Sequence, residues 1–143
     1  LLKFWADHFP AALILAFRFE TTLMPHLHLE YSDNLQHIEI KPLLVVIHQA
    51  LFNAGHVTDP NDLKSRAIMQ QDYVIGLNAV TDQAYVHAKV SLLSGRSVEV
   101  RQAISELVLN VMQQYIAPQP EFKIQLCVEI IEMPKQTYSK AII

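Results

Sequence analysis

The sequence predicts an α+β (α/β-like) fold: two βαβ units forming a four-stranded mixed sheet with two helices on one face. Three observations carry this expectation. Segments 25–31 and 85–93 alternate apolar and polar residues with the period of a half-buried strand. Segments 38–53 and 98–115 repeat apolar residues at helical spacing. Turn-forming residues separate them, and the order strand, helix, strand occurs twice in 143 residues.

Composition bounds what such a domain does. At 51% hydrophobic and 17% charged the chain is globular, with room for one substantial core. A net charge of -3, from 11 Lys+Arg against 14 Asp+Glu without a basic run, excludes a phosphate-backbone grip and makes nucleic acid an unsuitable partner. The single cysteine, Cys127, excludes an intrachain disulfide and a multi-thiolate zinc site, and it fits a reducing, cytoplasmic setting. The charged fraction lies below the ~25% of an average soluble domain, so part of the surface is expected to be buried against copies of the chain.

Composition breaks at Met24. Residues 1–24 hold four of the six Phe, the only Trp and 16 apolar residues of 24, while Lys3, Asp7, Arg18 and Glu20 cancel in charge. The run from Phe9 to Phe17 contains Pro10 and falls well short of the ~20 apolar residues that span a bilayer. No membrane partner is expected from it. Thr22, Leu23 and Met24 are not the small-residue pattern of a signal cleavage site. Trp5, Phe9, Ala12, Leu13, Ala16 and Phe17 follow helical spacing, so an amphipathic helix is the structural expectation. Met24 precedes Pro25, a pairing from which an initiator Met is normally removed. The expected division is therefore a leader over 1–24, a misplaced start or appended segment, and a domain over 25–143.

In the domain, Pro25 to Tyr31 puts Leu27 and Leu29 on one face and His26, His28 and Glu30 on the other. Ser32, Asp33 and Asn34 supply turn and N-cap chemistry. Ile38 to Asn53 is a helix with Pro42 near its first turn, and Gly55 is its natural stop. Leu63 to Tyr73 is patterned weakly as a strand, with a loop around Gly76 to Asp82. Tyr85 to Leu93 alternates as a strand, and Ser94, Gly95, Arg96 and Ser97 turn into the helix Val98 to Tyr115. Pro118 and Pro120 lie beyond its end. Phe122 to Ile131 is a last strand, apolar at nearly every residue toward its end, as expected where both faces are covered. With both helices on one face, the other needs a partner, and the apolar tail Ala141, Ile142 and Ile143 also argues for an oligomer.

Met24, Pro25 and His26, running through Glu30 to the Ser32, Asp33, Asn34 and Leu35 turn, form one stretch of a specific combination. The second runs from Ala84, Tyr85, Val86 and His87 through Gly95, Arg96 and Ser97 to Arg101 and Gln102. Together they resemble the 5-carboxymethyl-2-hydroxymuconate isomerase family of the tautomerase superfamily, over Met24 to about Glu132. The resemblance implies a tautomerase-like duplicated βαβ fold assembled as a homotrimer. It also implies an isomerase of aromatic-compound catabolism that uses no cofactor, with a small-molecule dienol carboxylate as substrate. Pro25 matches the family's N-terminal catalytic proline, and Arg96 matches the arginine after the second unit's first strand. Leu63, Lys64, Ser65 and Arg66 stand where relatives carry Ile-Arg-Ser-Arg, so Lys64 replaces the first arginine and Arg66 retains the second. An ammonium at Lys64 cannot make the bidentate fork of a guanidinium.

Ketonising a dienol requires removal of a hydroxyl proton and delivery of a proton to a distant carbon, a task for one base that changes protonation state within the cycle. An α-amino group ordinarily titrates at about 7.7–8.0. An apolar pocket with cations nearby disfavours a further positive charge and lowers that value toward working pH. Arg96, with Arg66 or Lys64, would clamp carboxylates and stabilise the charge developing on the dienolate oxygen. The nitrogen is a base only if Pro25 is the first residue; joined to Met24 it belongs to an amide whose lone pair is delocalised. The competing expectation is a non-catalytic trimeric scaffold of the same fold, with Pro25 blocked by the leader.

Other chemistry-bearing residues have plainer readings. His26, His28 and Glu30 read as an outer sheet face or subunit contact, with no metal expected because no second ligand cluster accompanies them. His87 reads as a satisfied buried histidine and Cys127 as core filler. Arg101 is expected to pair with Glu99 or Glu106 at the helix surface, or across an interface.

Overall fold

The computed structural model describes residues 24–121 and 123–143. The leader helix expected from Trp5, Phe9 and Phe17 lies outside the described residues, as does Phe122. The chain runs β1 (His26–Ser32), α1 (Ile40–Asn53), a 3-10 turn (Pro60–Asp62), β2 (Lys64–Gln70), β3 (Gln83–Leu93), α2 (Val98–Tyr115), β4 (Lys123–Met133) and a second 3-10 turn (Lys135–Thr137). The sheet order is β2-β1-β3-β4. β1 pairs parallel with β2, β3 pairs parallel with β4, and the central pair β1 and β3 is antiparallel. The two expected βαβ units are present, joined side by side in a mixed sheet.

Alternation drives the layering. Leu27 and Leu29 of β1, with Ala84, Val86, Ala88, Val90 and Leu92 of β3, point to the helix-covered side and are buried. There they meet Leu43, Ile47 and Leu51 of α1 and Ile104, Val108 and Met112 of α2, each at a spacing that returns it to the same helix face. Burying each large aliphatic side chain contributes about 1.5–3 kcal/mol, so this single layer supplies most of the cohesion between helices and sheet. Tyr115 ties the helices together at the rim, its hydroxyl donating to the Glu39 carbonyl at 3.1 Å.

The ends of the elements follow local chemistry. α1 stops in a Schellman arrangement: Gly55, at φ 78°, donates to the Phe52 carbonyl and His56 to the Leu51 carbonyl. The Ser97 hydroxyl caps α2 by accepting from the Val100 amide at 3.2 Å. Ser32, Asp33 and Asn34 do form a turn, but they cap no helix. α1 begins at Ile40 behind Glu39, which makes no side-chain cap. The turn instead locks strands: buried Ser32 donates to Asn34 Oδ1 at 2.6 Å and accepts from the Tyr85 amide at 3.1 Å, while Asn34 Nδ2 donates to the Gln83 carbonyl.

The opposite sheet face is uncovered in the single chain. It presents His26, His28 and Glu30 from β1, Lys64 and Arg66 from β2, His87 and Lys89 from β3, and Cys127 and Glu129 from β4. Three sequence expectations are corrected there. β4 is an edge strand with one open face, because both helices lie on the other side. Cys127 is therefore exposed rather than core filler. His87 is only half-buried and is satisfied by Glu129, Nε2 to Oε1 at 3.0 Å, across the β3–β4 pair. Elsewhere, Arg101 pairs with Glu132 at 2.9 Å rather than with Glu99 or Glu106, because α2 packs directly over β4. Among the described residues, no helix is long and apolar enough to cross a membrane.

Candidate active site

Parallel pairing of β1 with β2 puts both strand starts at one end of the sheet, and antiparallel pairing with β3 brings the end of β3 there too. Pro25 immediately precedes β1 at that end and is fully buried. The Lys64 amide donates to the Pro25 carbonyl at 3.2 Å, extending the ladder one step past His26 and Lys64. Arg96, half-buried, follows β3 by three residues, and His26 pairs with Ser91 just before the end of that strand. The topology thus gathers Pro25, Lys64 and the Arg96 loop, although they are far apart in sequence. Arg66 lies two residues farther along β2, beside His28, where its Nε donates to His28 Nε2 at 2.8 Å and Nη2 touches the same nitrogen.

Met24 enters this end in an unusual conformation. Its φ of 40° is the left-handed region, which costs a side-chain-bearing residue about 1–2 kcal/mol. A residue before proline is, moreover, driven toward extended backbone. Met24 itself is therefore held in a strained backbone conformation.

The local field is cationic. Burial lowers the His26 imidazole below its ordinary value, and Lys64, Arg66 and His28 lower it further. Burial also lowers His28, reinforced by Arg66 and Lys89 and opposed by Glu30. A site whose histidines resist protonation beside cations suits anionic groups.

Residues the sequence left unassigned complete this end. After β4 the chain crosses the full width of the sheet. The Lys135 amide donates to the Ser94 hydroxyl at 3.1 Å, Tyr138 Oη is hydrogen-bonded to His26 Nε2 at 3.0 Å, and Lys140 Nζ donates to Asp62 Oδ1 at 2.6 Å. That path visits the ends of β3, β1 and β2 in turn. Asp62 is buried and also offers its backbone carbonyl to Lys64 Nζ at 3.1 Å. No pattern in the sequence marks Tyr138 or Lys140 as site residues, since their partners are 112 and 78 positions away.

A cleft of about 410 Å³ lies at the other end of the sheet, lined by residues including Tyr31, Asp33, Leu35 and Met69. Among the described residues its lining holds one carboxylate and no cation, the reverse of the Pro25 end. Among the described residues, no group of three or more His, Cys, Asp or Glu converges as a metal site.

The duplicated βαβ sheet is the fold of the tautomerase superfamily, and the family model places the chain among that superfamily's isomerases. The chain belongs to the 5-carboxymethyl-2-hydroxymuconate isomerase family, whose model matches residues 25–142. It is similar to a 5-carboxymethyl-2-hydroxymuconate isomerase from Deinococcus radiodurans R1, at 26% identity over 85% of this chain and 91% of that one, with a TM-score of 0.77. A 5-carboxymethyl-2-hydroxymuconate delta-isomerase is 18% identical over 88% of this chain and 91% of that one, with a TM-score of 0.72. A fused 4-OT solved as a symmetric trimer is 14% identical over 81% of this chain and 93% of that one, with a TM-score of 0.60. The last two likenesses show the fold alone. No curated protein matches the sequence.

Proposed function

We propose that the domain over residues 25–143, in a form that begins at Pro25, ketonises a 2-hydroxymuconate-type dienol carboxylate such as 5-carboxymethyl-2-hydroxymuconate. The Pro25 amine takes the enol hydroxyl proton, the electron pair moves through the conjugated system, and the resulting ammonium returns a proton to the distant carbon. Arg96 holds a carboxylate and the developing oxyanion, with Lys64 and Arg66 adding positive charge. The setting is cytoplasmic catabolism of an aromatic compound, without a cofactor.

The observation that carries this reading is the position of Pro25: fully buried at the end of the sheet where Lys64 and the Arg96 loop also arrive. A homotrimer is supported by the uncovered sheet face, by exposed Ile68, Met69 and Ile131 along the edge strands, and by the symmetric trimer among the structural relatives.

A second reading, a non-catalytic scaffold in which Pro25 stays acylated, draws on the burial of Met24, only 8% exposed. One experiment separates the two. Turnover of the dienol is measured for the full chain and for the form beginning at Pro25, each N-terminus established by intact mass. Activity confined to the second form supports the proline base; equal activity of both overturns it, and no activity in either favours the scaffold.

A further inference from the structure

We propose that the segment 134–140 is a strap that walls the Pro25 end of the sheet, and that it carries Lys135 as a cation for a second carboxylate of the ligand. This rests on the reading of that end as a carboxylate site.

The geometry of Lys135 is specific. Its side chain lies across Gly95: a Cβ built there would stand 3.2 Å from Nζ and 3.6 Å from Cε. The ammonium thus lies close against the backbone of Gly95, the residue preceding Arg96, where a side chain would push it aside by a few tenths of an ångström. Among the described residues this ammonium has no carboxylate partner, unlike Lys89, which pairs with Glu30, or Lys140, which pairs with Asp62. A cation held over the backbone and left without a counter-charge is an available anion contact.

The backbone of the strap is fixed on both sides of that contact. The Ser94 amide donates to the Met133 carbonyl at 2.8 Å, and the Lys135 amide returns to the Ser94 hydroxyl at 3.1 Å. The Thr137 amide and hydroxyl both donate to the Pro134 carbonyl, closing a tight turn. Farther on, Tyr138 is held by His26 and Lys140 by Asp62. The strap is thus pinned to β3, β1 and the approach to β2, and Lys135 reaches the ligand space without ordering a free loop, which would cost conformational entropy.

The test uses two unreactive probes of the same carbon skeleton, trans,trans-muconate with two carboxylates and sorbate with one. Equilibrium binding to the full chain is measured by calorimetry. For the Lys135→Ala variant, muconate affinity falls about fivefold while sorbate affinity is unchanged, the magnitude of a solvent-accessible ion pair. Lys135→Arg restores muconate binding. Tyr138→Phe, which frees the strap without removing a charge, weakens muconate binding about twofold, a loss smaller than that of an accessible ion pair. Equal losses for both probes, no loss, or failure of the parent chain to bind muconate overturns the proposal. Because binding transfers no proton, Pro25→Ala retains the Lys135 dependence even if the proline is not the base, so the two readings fail separately.

Discussion

Tyr138 Oη and His26 Nε2, 112 residues apart, are joined by a 3.0 Å hydrogen bond, with their rings edge to face at a centroid separation of 6.1 Å. His26 follows Pro25 directly, so the last ordered turn of the chain is fastened to the first step of β1. Burial and neighbouring cations keep the imidazole neutral more readily than usual, which leaves Nε2 able to accept the phenol proton.

Burial and the surrounding cations, more than this bond, set the pH response. The unfolded chain takes up histidine protons near pH ~6.5, whereas His26 and His28 in the fold take them up only at lower pH. Between those points the unfolded state binds more protons, so stability rises with pH and is lost as pH falls below about 6.5. Burial lowers His48 and His56 as well, in the same direction. Thermal melts across this range show a falling Tm on acidification, with a shallower slope in His26→Gln; a flat profile contradicts the assignment.

Arg96 is expected to act through the carboxylate fork. Arg96→Lys keeps the charge but loses a charge-assisted hydrogen bond worth about 1.5–3 kcal/mol, raising KM for the dienol roughly 10- to 100-fold. An unchanged KM places the carboxylate elsewhere.

Lys64 is expected to bear on substrate choice. If its ammonium faces the ligand, Lys64→Arg improves kcat/KM for the substrate with the additional carboxylate relative to one lacking it, by up to about tenfold. No change in preference removes Lys64 from recognition and leaves it in the contact it makes with the Asp62 carbonyl.

Gly95 carries a double constraint. At φ 104° an alanine is strained, and its Cβ would crowd the Lys135 ammonium, shifting it by a few tenths of an ångström. Gly95→Ala therefore lowers stability by about 1–3 kcal/mol and also weakens muconate binding. A drop in Tm with binding intact separates backbone strain from the cation's role.

The core and the open face respond oppositely to truncation. Ile47 is fully buried between helix and sheet, so Ile47→Ala costs about 2–5 kcal/mol. Cys127 is exposed, and Cys127→Ser shifts stability by no more than about 0.5 kcal/mol in the isolated chain. Denaturant titration measures both; a large loss at Cys127 under assembling conditions marks its face as a subunit contact.

Much of the fold was legible in the chain because periodicity reports which side of an element is buried. Alternation located β1 and β3 to within a residue or two, and Val98 to Tyr115 coincides with α2. β2 was harder: Lys64 to Gln70 is an edge strand with Lys64, Arg66, Ile68 and Met69 exposed, so its apolar pattern is diluted. The apolar run in β4 misled for a related reason. An edge strand with one uncovered face resembles a doubly covered one when its open side also carries residues such as Cys127 and Ile131.

Local sequence determined the helices, the strands and the Gly55 stop, since each depends on neighbours within a few residues, while the candidate status of Pro25 came from the family resemblance. Tertiary structure decided what those residues meet. Strand order carried Lys64 and the Arg96 loop to Pro25, turned Arg101 to Glu132 and exposed Cys127. It also drew the tail across the sheet until Tyr138 reached His26 and Lys140 reached Asp62. Such contacts depend on how the sheet is ordered and which face the helices cover, and local periodicity specifies neither.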